Sequence, residues 1–240
     1  MSRSVKKILS VTRAAVDQYN MIEDGDKIAV GLSGGKDSLM LLFALAKLKD
    51  FYPKKFELLA VTADPCFDGR DTDFSAVERF CASLGIRYII QRTELWDIVF
   101  NRRNESNPCS LCARMRRGIL HRLCEQHGCS KIALGHHKND VAETFMMNLL
   151  NGGTIGCFSP VSYLSRRNLH MIRPLIFLDE KTIISAVNQL ELPIVKSACP
   201  VDGKTEREQM KKYISELCQK YGDVDEKVIT AMKKAEISGW

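Results

Sequence analysis

Six consecutive residues, Ser33-Gly34-Gly35-Lys36-Asp37-Ser38, carry groups suited to holding a phosphate chain. Gly34 and Gly35 have no Cβ to keep backbone N–H groups away from an anion, and a helix starting just beyond them points its positive end at the same spot. Lys36 and Ser38 add a charge and a hydroxyl, while Asp37 offers an oxygen to Mg2+, a hard cation that takes such ligands. A glycine pair before a charged helix start is ordinarily only a strand-to-helix turn. Here the whole string follows the apolar run 27–32, which ends at Leu32. Its spacing is neither Gly-x-x-x-x-Gly-Lys-Ser/Thr nor Gly-x-Gly-x-x-Gly.

The hexapeptide resembles the PP-loop of ATP pyrophosphatases, which cleave ATP between its α and β phosphates; the resemblance assigns Leu32 through Ser38 to the nucleotide. A second loop, Leu134-Gly135-His136-His137-Lys138-Asn139-Asp140, also falls between an apolar run and a helical pattern, and so lines the same crevice. Gly135 can pass close to the adenosine, beside His136, and Asp140 can supply a carboxylate to a metal or to lysine. Alternatively His136 and Asp140 cap the helix that follows. Thr62 and Asp64, in Val61-Thr62-Ala63-Asp64, sit at the end of the second expected strand as a shelf for adenine and ribose.

Cys109-Ser110-Leu111-Cys112 opens a strongly basic helix, where the helix dipole together with Arg114, Arg116 and Arg117 should favour thiolate. A zinc ribbon needs a second such pair, which the chain lacks, and a thioredoxin-like motif would follow the first strand. Cys199, before Pro200, is the other cysteine in an exposed loop. Three thiolates suit an iron-sulfur cluster with one iron left without a protein ligand. A catalytic pair passing a persulfide is the alternative that spacing leaves open. Cys66, Cys81, Cys124, Cys129, Cys157 and Cys218 are scattered among apolar or helical neighbours and read as small buried hydrophobes.

Positioning these groups falls to an alternation of short apolar runs and helical patterns. A leading helix is expected over 5–21, strands over 27–32, 56–62, 86–91 and 131–134, and helices over 39–45, 72–84, 114–127 and 139–150. Such alternation predicts an α/β fold, a doubly wound parallel sheet covered on both faces. Beyond Asn151 the pattern becomes irregular to Arg167. One further strand is expected within 170–175, with helices from Asp179 and from Lys204. The expected division is an N-terminal helix over 1–22, a nucleotide-binding domain with the sulfur site over 23–203, and a helical tail over 204–240.

A hydrophobic content of 45% over 240 residues supports one substantial core. No stretch has the length of a membrane span or the apolar segment of a signal peptide, so a soluble, cytoplasmic protein is expected. In a reducing compartment nine cysteines favour thiolate chemistry over disulfides. The net charge of +6 gathers at Arg102-Arg103, Arg114, Arg116-Arg117, Arg166-Arg167 and Lys211-Lys212, which suits an anionic partner as well as a solvated basic face.

From about Asp17 to Leu217 the chain resembles TtcA-type tRNA 2-thiocytidine synthetases, within the PP-loop tRNA thiolases. The resemblance rests on the PP-loop, Cys109-Ser110-Leu111-Cys112 through Arg116-Arg117-Gly118-Ile119-Leu120, Ala133-Leu134-Gly135-His136-His137 and Ile172-Arg173-Pro174-Leu175. It implies that ATP and Mg2+ adenylate O2 of an anticodon-loop cytidine and that sulfide held on a 4Fe-4S cluster displaces AMP. It makes Cys109, Cys112 and Cys199 the cluster ligands. Arg116 takes the basic position near the phosphates, and Asp140, with Asp37, an acidic one. The implied partners are tRNA, a cysteine desulfurase or other sulfide donor, and a second copy of the chain, with no membrane. Cys199 departs from the family pattern by lying in Ser-Ala-Cys-Pro rather than a second Cys-x-x-Cys, and Asn139 stands where many members have Asp. Two rival expectations are the same chemistry on another tRNA base or a small nucleotide-like acceptor, and a nucleotide- and cluster-binding sensor without turnover.

Overall fold

A computed structural model describes residues 2–103, 108–201, 203 and 205–240. After α1 (Arg3–Gln18) the chain alternates β1 (Asp26–Gly31), α2 (Lys36–Phe51), β2 (Phe56–Asp64), α3 (Ser75–Ser83) and β3 (Arg87–Arg92). A π-helical turn, Asp97–Arg102, precedes α4 (Pro108–Gln126), β4 (Lys131–Ala133) and α5 (Lys138–Gly152). The order closes with β5 (Val161–Leu164), β6 (Leu169–Ile172), α6 (Glu180–Leu190), α7 (Glu206–Tyr221) and α8 (Val224–Lys234).

The six strands lie in the order β3-β2-β1-β4-β6-β5, every pair parallel except β5 with β6. The expected parallel, doubly wound sheet is therefore present, with one antiparallel edge strand inside the stretch read as irregular. Four residues are too few for strand periodicity to show. Their hairpin closes through Ser165–Arg167 and Asn168, whose φ of +46° is one that asparagine tolerates. Lys204, where a helix was expected to start, lies outside the described residues, and the tail carries α7 and α8.

Chain order places the site. From β1 the strands proceed outward through β2 to β3, and the chain then returns to put β4 on the other flank of β1, with Ala29 opposite Ile132 and Val30 opposite Ala133. Loops leaving these neighbouring strands both lead into helices of one core, α2 and α5, and the crevice beyond the strands' carboxyl ends is lined by the two loops and by α4 from the other side of the sheet. The loop 32–35 follows β1, and the loop 134–137 follows β4.

α2 reads apolar on all sides because it is buried on all sides, with Leu39 through Leu42 at 0% exposure. It shares one core with Ile8 of α1, Met210 and Ile214 of α7, and Ile229 and Met232 of α8. On the opposite face α4 packs Leu123 and Cys124 over Ile132 and Met171. Burial pushes the Cys81, Cys124 and Cys157 thiols up to about 12, in keeping with their structural reading. No helix among the described residues is long and apolar enough to cross a membrane.

Candidate active site

Leu32 leaves the sheet with its N–H donating to Val61 O at 2.8 Å, and the chain turns into α2. Gly34 sits at φ +81°, left-handed backbone that glycine adopts without a Cβ penalty. Gly35 is the N-cap of α2 and contributes no side-chain cap, which leaves the leading N–H groups to an anion. Ser38 works on the loop itself: its Oγ accepts from Ser33 N–H at 3.1 Å and donates to Gly35 O at 2.9 Å. Lys36 Nζ lies 3.0 Å from Asp37 and 2.9 Å from Glu180. Burial works against its charge, but those two carboxylates hold its pKa above the usual lysine value. Asp37 Oδ1 is buried without a hydrogen bond.

Gly135 is pressed against this turn. A Cβ there would stand 2.9 Å from the Asp37 carbonyl carbon and 3.1 Å from Ser38 N, so it is the PP-loop backbone that requires the glycine. His137, buried, places Nε2 3.6 Å from both Asp37 and Asp140. Asp140 does cap α5, accepting from His137 N–H at 2.9 Å, and its other oxygen faces Arg207 of α7 at 3.5 Å. Arg207 also donates to Glu143 at 3.0 Å and Thr144 at 3.1 Å. Burial, with Asp140 adding to it, pushes Glu143 up to about 7 despite that arginine. The His136 ring packs on Phe158 at 4.8 Å, and burial takes its pKa down to about 4.

Two cavities meet here. One of about 360 Å³ is lined by Leu32, Ser33, Asp37, Gly135, His136 and Asp140. The other, about 340 Å³, is lined by Ser33, Gly35, Cys109, Cys112 and Cys199. Ser33, Ala63, Ala113 and Arg116 belong to both, so Arg116 stands at the junction. α4 starts at Pro108, which makes Cys109 its second residue and Cys112 its fifth, three apart and so on neighbouring positions of one face. Cys199 arrives from the far end of α6, and Val195 anchors its segment by donating N–H to Gly34 O at 3.0 Å. The three cysteines thus line one cavity with Ser33 and Gly35 of the PP-loop.

Protonation of the Cys-x-x-Cys pair differs from expectation. Burial pushes the Cys109 and Cys112 thiols up, and Cys199 adds to both; Arg116 alone of the three arginines pulls Cys112 back. Arg114 and Arg117 are exposed. At Cys109 and Cys112 desolvation outweighs the basic helix start and favours the thiol.

Among the described residues, the group of three ligand atoms close enough to grip a single ion, all within 4.8 Å, is Asp64, Cys66 and Asp71. Asp64 is already filled, accepting from Thr72 N–H and O–H at 2.9 and 2.8 Å and pairing with Arg92 at 2.8 Å. Thr62 is committed as well, its hydroxyl bonded to Leu32 O and Tyr88. Both residues line the cysteine cavity, with their side chains spent on holding β2 to its neighbours.

A model of the PP-loop domain family matches residues 4–222. Proteins named tRNA-cytidine(32) 2-sulfurtransferase are similar along nearly the whole chain. The one in Geobacter metallireducens is 36% identical over 96% of this chain and 90% of its own length. The one in Geobacter sulfurreducens is 38% identical over 88% and 83%. This chain belongs to the PP-loop tRNA-cytidine 2-sulfurtransferase family. The resemblance read from its motifs is borne out. Among solved structures, the U34-tRNA thiolase NcsA from Methanococcus maripaludis with its 4Fe-4S cluster superposes at a TM-score of 0.77. It is 25% identical and covers 97% of this chain and 79% of that one. The NH3-dependent NAD synthetase from Campylobacter jejuni, at TM-score 0.50 and 17% identity over 96% and 88%, shares the fold.

Asn139 ties the start of α5 to two other segments. Asn139 Nδ2 donates to Asp225 at 2.9 Å while its Oδ1 accepts from Glu180 N–H at 2.9 Å. A carboxylate there could not donate, and Asp225 is buried, so the amide is what the α8 partner demands. Glu180, Arg207 and Lys211 went unnoticed as site residues. Their signal was faint: an acid opening a helix shortly after Arg173-Pro174-Leu175, and two bases one helical turn apart.

Proposed function

We propose that this chain is a cytoplasmic ATP-dependent sulfurtransferase that converts an anticodon-loop cytidine of tRNA to 2-thiocytidine. The observation that carries the reading is the sharing of one cavity by Ser33 and Gly35 of the nucleotide loop with Cys109, Cys112 and Cys199. The α2 N-terminus and Lys36 take the phosphates. Asp37, whose buried Oδ1 lacks a partner, and Asp140 are the oxygen donors that fit Mg2+. Cytosine O2 attacks the α-phosphorus and pyrophosphate leaves; hydrosulfide then adds at C2, the C–O bond breaks, and AMP departs with the oxygen. Arg116, at the junction of the two cavities, faces the charge that develops on the phosphates.

The cysteine set fits a cluster better than a lone ion: three soft thiols on one cavity, outside the group whose ligand atoms could close on a single metal. A 4Fe-4S cluster on Cys109, Cys112 and Cys199 would supply an iron without a protein ligand, a place to store sulfide. The sulfide comes from a cysteine desulfurase or another donor, and a homodimer belongs to the same reading. For tRNA, α4 exposes Arg114, Arg117 and Arg122, and Arg166 is exposed on the β5–β6 turn. Arg102, Arg167 and Lys211 are engaged with Asp97, Glu125 and Glu180. RNA affinity falling steeply with salt is the expected mark of such a face.

Protein purified without oxygen should be brown, and with ATP, sulfide and tRNA it should release pyrophosphate and yield 2-thiocytidine by mass spectrometry. Cys199→Ala should lose iron and activity while melting like the parent; Cys81→Ala should keep both at a cost of about 1 kcal/mol of stability. Colourless, iron-free protein would refute the sulfur site, and a thiolated base other than cytidine would move the acceptor.

A further inference from the structure

In the free protein Lys36 is held by two carboxylates, Asp37 beside it and Glu180 at the start of α6. Glu180 is shared in turn: Lys211 of α7 reaches its second oxygen at 2.7 Å. The Glu180 side chain is only 16% exposed, and Asn139 fixes its backbone N–H. Phosphates entering the loop would compete with Glu180 for the Lys36 ammonium. A carboxylate so deeply placed would be stranded at considerable cost if Lys36 were its one cation. With Lys211 in place it is not stranded.

We infer that Glu180 and Lys211 are positioning residues for nucleotide binding: Glu180 parks Lys36 in the free protein, and Lys211 remains as its partner when Lys36 turns to the phosphates. This rests on the reading of the loop as a nucleotide site. α7 is built to stay put during the exchange. Arg207, one turn before Lys211 on the same face, holds Asp140, Glu143 and Thr144 of α5, while Met210 and Ile214 are buried in the core.

The test is titration calorimetry on the full chain with the Mg2+ complex of an ATP analogue carrying a methylene between the α and β phosphorus atoms. Glu180→Gln removes the competitor and should tighten binding about threefold to tenfold, the span from an exposed to a half-buried ion pair. Lys211→Met leaves Glu180 with Lys36 alone and should weaken binding by a similar factor, which Lys211→Arg restores. The double variant decides. If Lys211 acts through Glu180, Glu180→Gln with Lys211→Met binds as tightly as Glu180→Gln alone. Additive effects that return the double variant to the parent's affinity would mean mere long-range charge, and weakening in both single variants a merely structural role; either overturns the inference and spares the nucleotide reading. No binding by the unaltered protein would overturn both.

Discussion

Substituting Gly34 by alanine should uncouple the sulfur site from the nucleotide loop. The φ of +81° costs an L-residue about 1–2 kcal/mol. The added Cβ would lie 2.9 Å from Val195 Cβ, and ordinary contact begins at 3.4 Å, so the Val195 segment must retreat by at least 0.5 Å (3.4 − 2.9). That retreat stretches the 3.0 Å bond from Val195 N–H to Gly34 O, worth about 1 kcal/mol. The φ cost stays with residue 34 wherever Val195 lies, so what loosens the segment that carries Cys199 is the lost bond, about 1 kcal/mol. At 1.36 kcal/mol per tenfold, occupancy of the three-cysteine arrangement drops about fivefold. The assays are anaerobic iron titration and the rate of Cys199 alkylation by iodoacetamide. Iron affinity should fall and alkylation accelerate, while nucleotide affinity, which depends on N–H groups that alanine retains, changes less. Gly118→Ala is the control, since no atom lies within 4 Å of its added Cβ. Iron affinity within threefold of the parent in Gly34→Ala would refute the claim that this backbone contact places Cys199.

Two further substitutions probe the network behind the loops. Asn139→Asp sets a second carboxylate 2.9 Å from buried Asp225 and should cost about 2–4 kcal/mol at neutral pH, a melting loss of roughly 2–4 °C per kcal/mol that added Asp225→Asn recovers; an unchanged melt would contradict the claim that Asp225 needs a donor from residue 139. Glu143 titrates at about 7 in the fold because it is buried, against 4.5 ordinarily, so the folded chain keeps a proton that the unfolded chain gives up between those values. Its contribution is full at the lower pH and is lost as pH rises to about 7, on the order of 3 kcal/mol that Glu143→Gln would retain. Parallel pH–melting profiles for the two proteins would show that the carboxyl titrates normally.

Much of this molecule is written in contiguous stretches. The PP-loop after an apolar run, the 134–140 loop and the Cys-x-x-Cys at a helix start declare themselves because strand, turn and cap depend on neighbouring residues and their dihedrals. The strand-helix alternation is enough for a parallel sheet and hence for the end of the sheet at which ligands gather. Short strand β5 was hidden because four residues leave no period to read. That Cys199 lines one cavity with Cys109 and Cys112 is a matter of tertiary contact, with Val195 of its segment bonded to Gly34, a residue remote in sequence. Likewise the pairing of Lys36 with Glu180 and of Asn139 with Asp225 follows from packing α6 and α8 beside the loops, and the raised Cys112 thiol from burial of α4 near Cys109 and Cys199. Burial and charge proximity are properties of the closed chain: the cost of desolvating a thiol or a carboxylate exists only once other segments have excluded the water around it.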